Sequence, residues 1–139
     1  PRLQGILEQA CNYPQVRCRC RDDLSQRPID GDTLLHWLLG LAPRPTAVIT
    51  DSDTTAIALI HAAVGAGLRV PEDLSIVGVD GLEIGRYSLP ALTSVGQPTR
   101  EQGTRAGKIL LDAIAGREVH DCILQPFMIE RESCRVIQL

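Results

Sequence analysis

The stretch Pro45–Asp80 constrains the fold of this chain most, because its pattern indicates a strand, a helix and a second strand. The pattern predicts a strand over Thr46–Thr50, a helix over about Thr54–Ala66 and a second strand over Ser75–Val79. Both strands are continuous apolar runs without polar alternation, which is typical of strands covered on both faces of a parallel sheet. The connection between them is long enough for a crossover helix. The stretch therefore predicts a β-α-β unit in an α/β fold.

Polar side chains follow both strands at the points where the strands end. Asp51, Ser52 and Asp53 come directly after the first strand, and Asp80 ends the second. Parallel strands bring their carboxyl ends to one edge of a sheet, where open α/β sheets bind ligands, so this edge is a candidate site. Two interpretations stay open for Asp53, which either caps the helix or meets a ligand. Asp80 likewise is either a ligand contact or part of an ordinary Asp-Gly turn.

Helices and strands are predicted to alternate along the rest of the chain, which indicates a doubly wound, mainly parallel sheet. Before Pro45 the predicted elements are a helix over Arg2–Asn12, a strand over Val16–Cys20, a charged loop over Arg21–Asp30 and a helix over Gly31–Leu41. After Asp80 they are strands over Leu92–Val95, Cys122–Leu124 and Phe127–Glu132, and a long helix over Pro98–Ala115.

Composition narrows the classes of function. With 139 residues, a net charge of −3 and a pI near 5.6, the chain has the size of one domain and lacks the basic face of a nucleic-acid binder. There is no apolar run long enough to span a membrane and no signal-peptide pattern at the start, which predicts a cytoplasmic protein. The five cysteines are an odd number without a CxxC pair, so reduced thiols are expected.

The chain lacks the sequence motifs of several common enzyme classes. The chain contains no GxxxxGK[ST], GxGxxG, HExxH or GxSxG pattern. Asp51 and Asp53 form a carboxylate pair, but no lysine or histidine follows a matching strand end. We therefore predict that the chain is not an enzyme and that it holds no cofactor and no metal.

The segment from Arg44 to Pro98 resembles the effector-binding core of the LacI/GalR (lactose-repressor/galactose-repressor) family of bacterial transcription regulators. The residues that carry the resemblance are Pro45–Thr46–Ala47, Asp53, Gly67–Asp73, Ser75–Asp80 and Pro90–Pro98. Arg2 with Gly5, and Arg131–Glu132–Ser133, extend the similarity to both ends. The resemblance implies a periplasmic-binding-protein-like fold made of two subdomains.

That resemblance also implies a division of the chain. Residues 1–96 would form the C-terminal effector-binding subdomain, residues 97–118 a hinge and a helix of a truncated N-terminal subdomain, and residues 119–139 the returning strands. A small effector, often a sugar, would bind between the subdomains. Operator DNA would be bound by a helix-turn-helix headpiece outside this chain. The alternative is a periplasmic-type sugar-binding protein of the same fold.

Positions that match the family's effector contacts follow from the same resemblance. They are Arg2, Ser52, Asp80 and Gln97, with Asp51 as an additional candidate. Asp53 would serve as a structural helix cap. An aspartate can accept two hydroxyls and an arginine can donate as a fork, which suits a sugar. Ser52 stands where the family often has Asn.

Two apolar surfaces are expected to find partners. Within the Thr54–Ala66 helix, a core stripe of Ala56, Leu59, Ile60 and Ala63 is accompanied by a second, offset stripe. This offset stripe is Ile57, His61 and Val64. The resemblance implies a homodimer through it and through the loop Leu82–Tyr87 after the strand that ends at Asp80, with Ile84 and Tyr87 as contacts. The helix over Pro98–Ala115 would lack its usual sheet. We expect it to pack on the core in a new way, to exchange with a second copy, or to be poorly ordered.

Overall fold

A computed structural model describes residues 2–21 and 30–136 of the chain. Its α-helices are α1 (Arg2–Ala10), α2 (Gly31–Leu39), α3 (Asp53–Gly65) and α4 (Thr99–Ile114). Its strands are β1 (Ala47–Ile49), β2 (Ser75–Asp80), β3 (Thr93–Gly96) and β4 (Phe127–Ile129), and a 3₁₀ helix spans Glu83–Tyr87. None of the helices in these ranges is both long and apolar enough to cross a membrane.

The four strands form one sheet in the order β1-β2-β3-β4. The first three strands are parallel, with Val48 opposite Ile76 and Gly78 opposite Ser94. The last strand runs antiparallel and places Ile129 opposite Ser94. This arrangement confirms the predicted α/β class with a mainly parallel sheet, and it brings the carboxyl ends of β1, β2 and β3 to one edge.

The core lies between the sheet and two helices, since α3 packs on β2 and α2 packs on α3. It is built from the apolar stripes of α2 and α3 and from sheet residues that face them: Leu34, Leu35, Leu38, Ala56, Leu59, Ile60, Ala63, Ile76 and Leu92. The predicted core stripe of α3 is therefore confirmed. The two helices approach closely at Gly31, where a Cβ would clash with the carbonyl of Ala58.

Two predicted strands are wrong. Val16–Cys20 is exposed and forms no strand, because its alternating residues have no apolar surface to cover. The guanidinium of Arg19 instead donates to the carbonyl of Ala42 at 2.8 Å. Cys122–Leu124 is also irregular, and its Ile123 is 86% exposed. Most of the predicted charged loop over Arg21–Asp30 lies outside the described residues.

The helix α4 stands apart from this core. None of its residues, all within the described part of the chain, is buried. Leu110, Leu111 and Ile114 are 61–75% exposed, so the expected packing of this helix on the core is wrong. The other two alternatives, exchange with a second copy and poor ordering, stay predictions.

Candidate ligand-binding site

The chain turns sharply at the end of β2, and Asp80 carries the turn. The backbone of Asp80 has a φ of 124°, and that of Gly81 has a φ of 75°. Glycine adopts positive φ cheaply, whereas an aspartate at such an angle is strained by about 1–3 kcal/mol. Residues held in this way cluster at functional sites, so Asp80 is the first candidate ligand contact at this edge.

Gln97, which directly follows the neighbouring strand β3, contacts Asp80. Its side-chain amide Nε2 donates a hydrogen bond of 3.0 Å to Asp80 Oδ1, and its backbone N–H donates a longer one of 3.4 Å to the Asp80 carbonyl. Both residues are half-buried. A carboxylate has about four acceptor positions, so the Gln97 bond leaves Asp80 able to accept ligand hydroxyls. The structure thus brings together two of the predicted effector residues.

The end of β1 carries the next candidates, which are tied to the start of α3. Ser52 is the N-cap of α3, and its Oγ accepts from the backbone N–H of Thr55 at 3.3 Å. The Thr55 hydroxyl donates to Asp51 Oδ1 at 3.2 Å and lies 3.0 Å from Ser52 Oγ. Asp51 is exposed and Ser52 half-buried at this edge. The prediction that Asp53 caps the helix is wrong, because the neighbouring serine does so.

Asp53 has a different structural role, for it is fully buried beneath the edge. Its Oδ2 accepts from the backbone N–H of Leu82 at 2.6 Å, and its Oδ1 accepts from the Ser94 hydroxyl at 2.5 Å. The Ser94 oxygen in turn accepts from the N–H of Gly81 at 3.1 Å. These hydrogen bonds give both Asp53 oxygens a partner and tie the backbone after β2 to the buried side chains.

Sequence reasoning missed this buried network, although one signal was present. Gly78 interrupts the apolar run of β2, and glycine inside a strand often marks a close approach. A Cβ at Gly78 would clash with Asp53 Oδ1. The residue therefore leaves room for the carboxylate.

Arg2 is the remaining predicted effector contact. Its side chain lies outside the described part of the structure, so its place at the site stays a prediction. An open groove of about 530 Å³ starts at Gln97 and follows the first turns of α4, lined also by Pro98, Thr99, Arg100, Glu101 and Thr104. It does not include Asp80 or Ser52. We place the candidate site at Asp80 because the strained backbone and the carboxylate are there.

The described residues contain no group of three or more His, Cys, Asp or Glu side chains placed to hold a metal ion. The predicted dimer residues lie mostly at the surface. Val64 is 46%, Ile84 60% and Tyr87 72% exposed, and His61 is exposed as well. Ile57 is half-buried and packs partly against the core.

The fold and this edge define a class of binding domain rather than a single protein. Residues 2–134 match the family described as periplasmic binding protein-like domain, and the chain belongs to that family. Within it, the chain is of the LacI/GalR type, as the sequence resemblance indicated.

Relatives of known class support this assignment. The HTH-type transcriptional repressor PurR of Pectobacterium atrosepticum is 39% identical over 108 residues, which are 76% of this chain and 32% of the repressor. The LacI family regulator of Lactobacillus casei with bound glucose is 32% identical, with a TM-score of 0.64 over 75% of this chain and 38% of that one. The lac repressor dimer bound to operator and the anti-inducer ONPF is 28% identical, with a TM-score of 0.70 over 76% and 37%. The chain thus spans roughly a third of the length of these relatives.

Proposed function

We propose that this chain is the effector-binding and dimerisation part of a LacI/GalR-type transcriptional regulator, and that its effector is a sugar or sugar derivative. The observation that carries the proposal is Asp80, whose backbone is strained and whose carboxylate is held by Gln97 at the ligand-binding edge of the sheet. We do not propose an enzymatic activity, because an enzyme would need a nucleophile or an acid–base pair at this edge. The relatives are regulators by name.

The chemistry of the edge favours a polyhydroxylated ligand. The Asp80 carboxylate can accept two neighbouring hydroxyls, and the Gln97 amide offers a donor and an acceptor beside it. Asp51 and the Ser52 hydroxyl would add contacts from the end of β1, and Arg2 a further donor. Glucose bound to the Lactobacillus casei relative supports this class of ligand.

DNA binding would belong to another part of a longer protein. The chain spans 32% of the PurR relative, whose name places it among helix-turn-helix repressors. We propose a headpiece of that kind, which would bind operator DNA more or less tightly when the effector is bound. Such a regulator would work in the cytoplasm.

A second copy of the chain is the partner we propose for the dimer surface. Val64, Ile84 and Tyr87 are exposed apolar side chains, and Leu82 and Leu89 are 41% and 83% exposed as well. A dimer would cover these side chains, since exposed apolar surface that is contiguous marks interaction sites. The lac repressor relative is a dimer, which supports a homodimer here.

A thermal-shift screen of the protein with monosaccharides, disaccharides, sugar phosphates and nucleobases tests the proposal. A ligand at about 100 times its dissociation constant should stabilise the folded state by about 2.7 kcal/mol. A sugar is expected to raise the melting temperature most. Stabilisation by nucleobases alone would contradict the sugar class, and a sugar-binding monomer would favour the periplasmic-type sugar-binding protein.

A further inference from the structure

We infer that Asp53 and Ser94 are positioning residues that hold Asp80 in its strained conformation before any ligand arrives. The inference rests on the proposed function for its meaning, since it gives Asp80 its ligand-binding orientation. It does not depend on the identity of the ligand. Neither Asp53 nor Ser94 reaches solvent, as both are fully buried, so they act through Asp80.

Hydrogen bonds to buried side chains hold the backbone just after Asp80. The next two N–H groups along the chain, those of Gly81 and Leu82, donate to Ser94 Oγ at 3.1 Å and to Asp53 Oδ2 at 2.6 Å. The Ser94 hydroxyl donates its own proton to Asp53 Oδ1 at 2.5 Å. One buried carboxylate and one hydroxyl therefore fix both peptide groups that follow the strained residue.

Glycines leave the space that this arrangement needs. A Cβ at Gly81 would lie 2.7 Å from the Cα of Gly96 on β3, closer than real side chains approach. A Cβ at Gly78 would clash with the Asp53 carboxylate. The turn thus packs closely against β3 and is hydrogen-bonded to the buried side chains of Asp53 and Ser94. Strained backbone persists only where its surroundings determine it in this way.

The backbone conformation of Asp80 determines where its carboxylate lies. A rotation of φ from its positive value to that of an ordinary extended strand would swing the Asp80 side chain relative to β2 and away from Gln97. The buried pair therefore preorganises the acceptor group, which lowers the cost of ordering it when a ligand binds.

The three-bond coupling between the amide and α protons of Asp80 tests the inference, because this coupling reports φ. It is measured by NMR on the ligand-free, ¹⁵N-labelled protein and on its Ser94→Ala variant. The coupling should be small in the wild type, and Ser94→Ala should raise it toward the large value of an extended strand. A large coupling in the wild type, or an unchanged small coupling in folded Ser94→Ala, would overturn the inference.

Ser133→Ala is the matched control, since Ser133 is equally buried and its Oγ accepts from Thr93 N–H at 2.8 Å and donates to the Ile76 carbonyl at 2.6 Å. It should lower stability and leave the Asp80 coupling small, and a raised coupling there would count against a specific role for Ser94. If Ser94→Ala does not fold, Asp53→Asn replaces it, with the same expected rise in coupling and the same contrary result.

Failure of the inference and failure of the proposed function are separate results. The couplings are measured without ligand, so an unchanged coupling beside clear sugar binding would reject the positioning role alone. A protein that binds no sugar but shows the expected couplings would reject the sugar proposal alone.

Discussion

The carboxylate of Asp53 occupies the space that a side chain at Gly78 would fill, so the helix α3 approaches the strand β2 through this buried side chain as well as through the apolar core. This contact links the core to the candidate site. The same carboxylate binds the backbone of Leu82 and the hydroxyl of Ser94, and so secures the turn that carries Asp80.

Replacing Gly78 by alanine should therefore destabilise the protein. The added methyl must displace the Asp53 carboxylate, and overpacking of a core costs about 1–3 kcal/mol. Gly65→Ala is the control, because nothing lies within 4 Å of a Cβ at that position of α3, and it should stabilise by up to about 1 kcal/mol. Urea unfolding followed by circular dichroism measures both, and equal stability of the two variants would contradict the account.

The capping role of Ser52 predicts how two substitutions at this position change stability. Ser52→Ala removes the acceptor for the Thr55 N–H and should lower the free energy of unfolding by about 1 kcal/mol. Ser52→Asp restores a capping oxygen and should unfold at nearly the same urea concentration as the wild type. Wild-type stability in Ser52→Ala would show that this cap is not needed.

The ion pair of Arg69 and Asp73 should make stability depend on pH in the acid range. Asp73 Oδ2 accepts from the Arg69 backbone N–H at 2.8 Å and from Nε at 3.0 Å, and Oδ1 accepts from Nη2 at 2.7 Å. The hydrogen bond from the Arg69 side chain, followed by that from its backbone, lowers the pKa of Asp73 from 3.8 to about 2. A lowered pKa means that the stabilisation is fully present above the pKa of the unfolded chain and is lost as the pH falls through about 2.

The expected measurement is a comparison of wild type with Asp73→Asn by urea unfolding between about pH 2 and pH 6. The wild type should be the more stable above about pH 4, and the difference should shrink toward pH 2. Glu72→Gln, a change at the exposed neighbouring carboxylate, serves as the control and should keep the wild-type pH dependence. A difference between wild type and Asp73→Asn that stays constant with pH would show that this pair contributes nothing.

The proposed dimer surface predicts a change in mass. Val64→Glu combined with Ile84→Glu places charges on the proposed dimer surface and should convert a dimer into a monomer, because burying unpaired charges at an interface is costly. Ile123→Glu is the control, since Ile123 is 86% exposed and belongs to the segment between α4 and β4. Sedimentation equilibrium measures the mass of each variant. A dimer that survives the double substitution would place the interface elsewhere.

The sequence predicts the β-α-β unit well because its signals are local. Apolar runs define β1 and β2, and the stripe on α3 repeats with the helical period, so the burial of α3 follows from spacing alone. The prediction that both strands are covered on both faces is wrong for β1, where Ala47 and Ile49 are exposed, because its apolar run does not show whether other elements cover it. The failed strand at Val16–Cys20 also had a suitable alternating pattern. A strand needs a neighbour to supply hydrogen bonds and cover, and no local pattern reveals whether that neighbour is there.

The candidate site is less predictable because its contacts are distant in sequence. Asp53 binds partners 29 and 41 residues further along the chain. Ser52 and Asp53 are both good capping residues, so the sequence could not choose between them. The choice is made by the space above Gly78, which receives the aspartate and leaves the serine to cap. The positive φ of Asp80 likewise depends on these tertiary contacts.

Ligand binding by Asp80→Asn is the most direct measurement of the central claim. Asparagine tolerates positive φ as aspartate does, so the substitution removes the charge and half of the acceptor capacity while keeping the backbone. Isothermal titration with the sugar that stabilises the protein most should show at least a tenfold loss of affinity, about 1.4 kcal/mol. Glu83→Gln, at an exposed carboxylate on the neighbouring 3₁₀ helix, should bind like the wild type. Unchanged affinity in Asp80→Asn would contradict the assignment of this edge as the effector site.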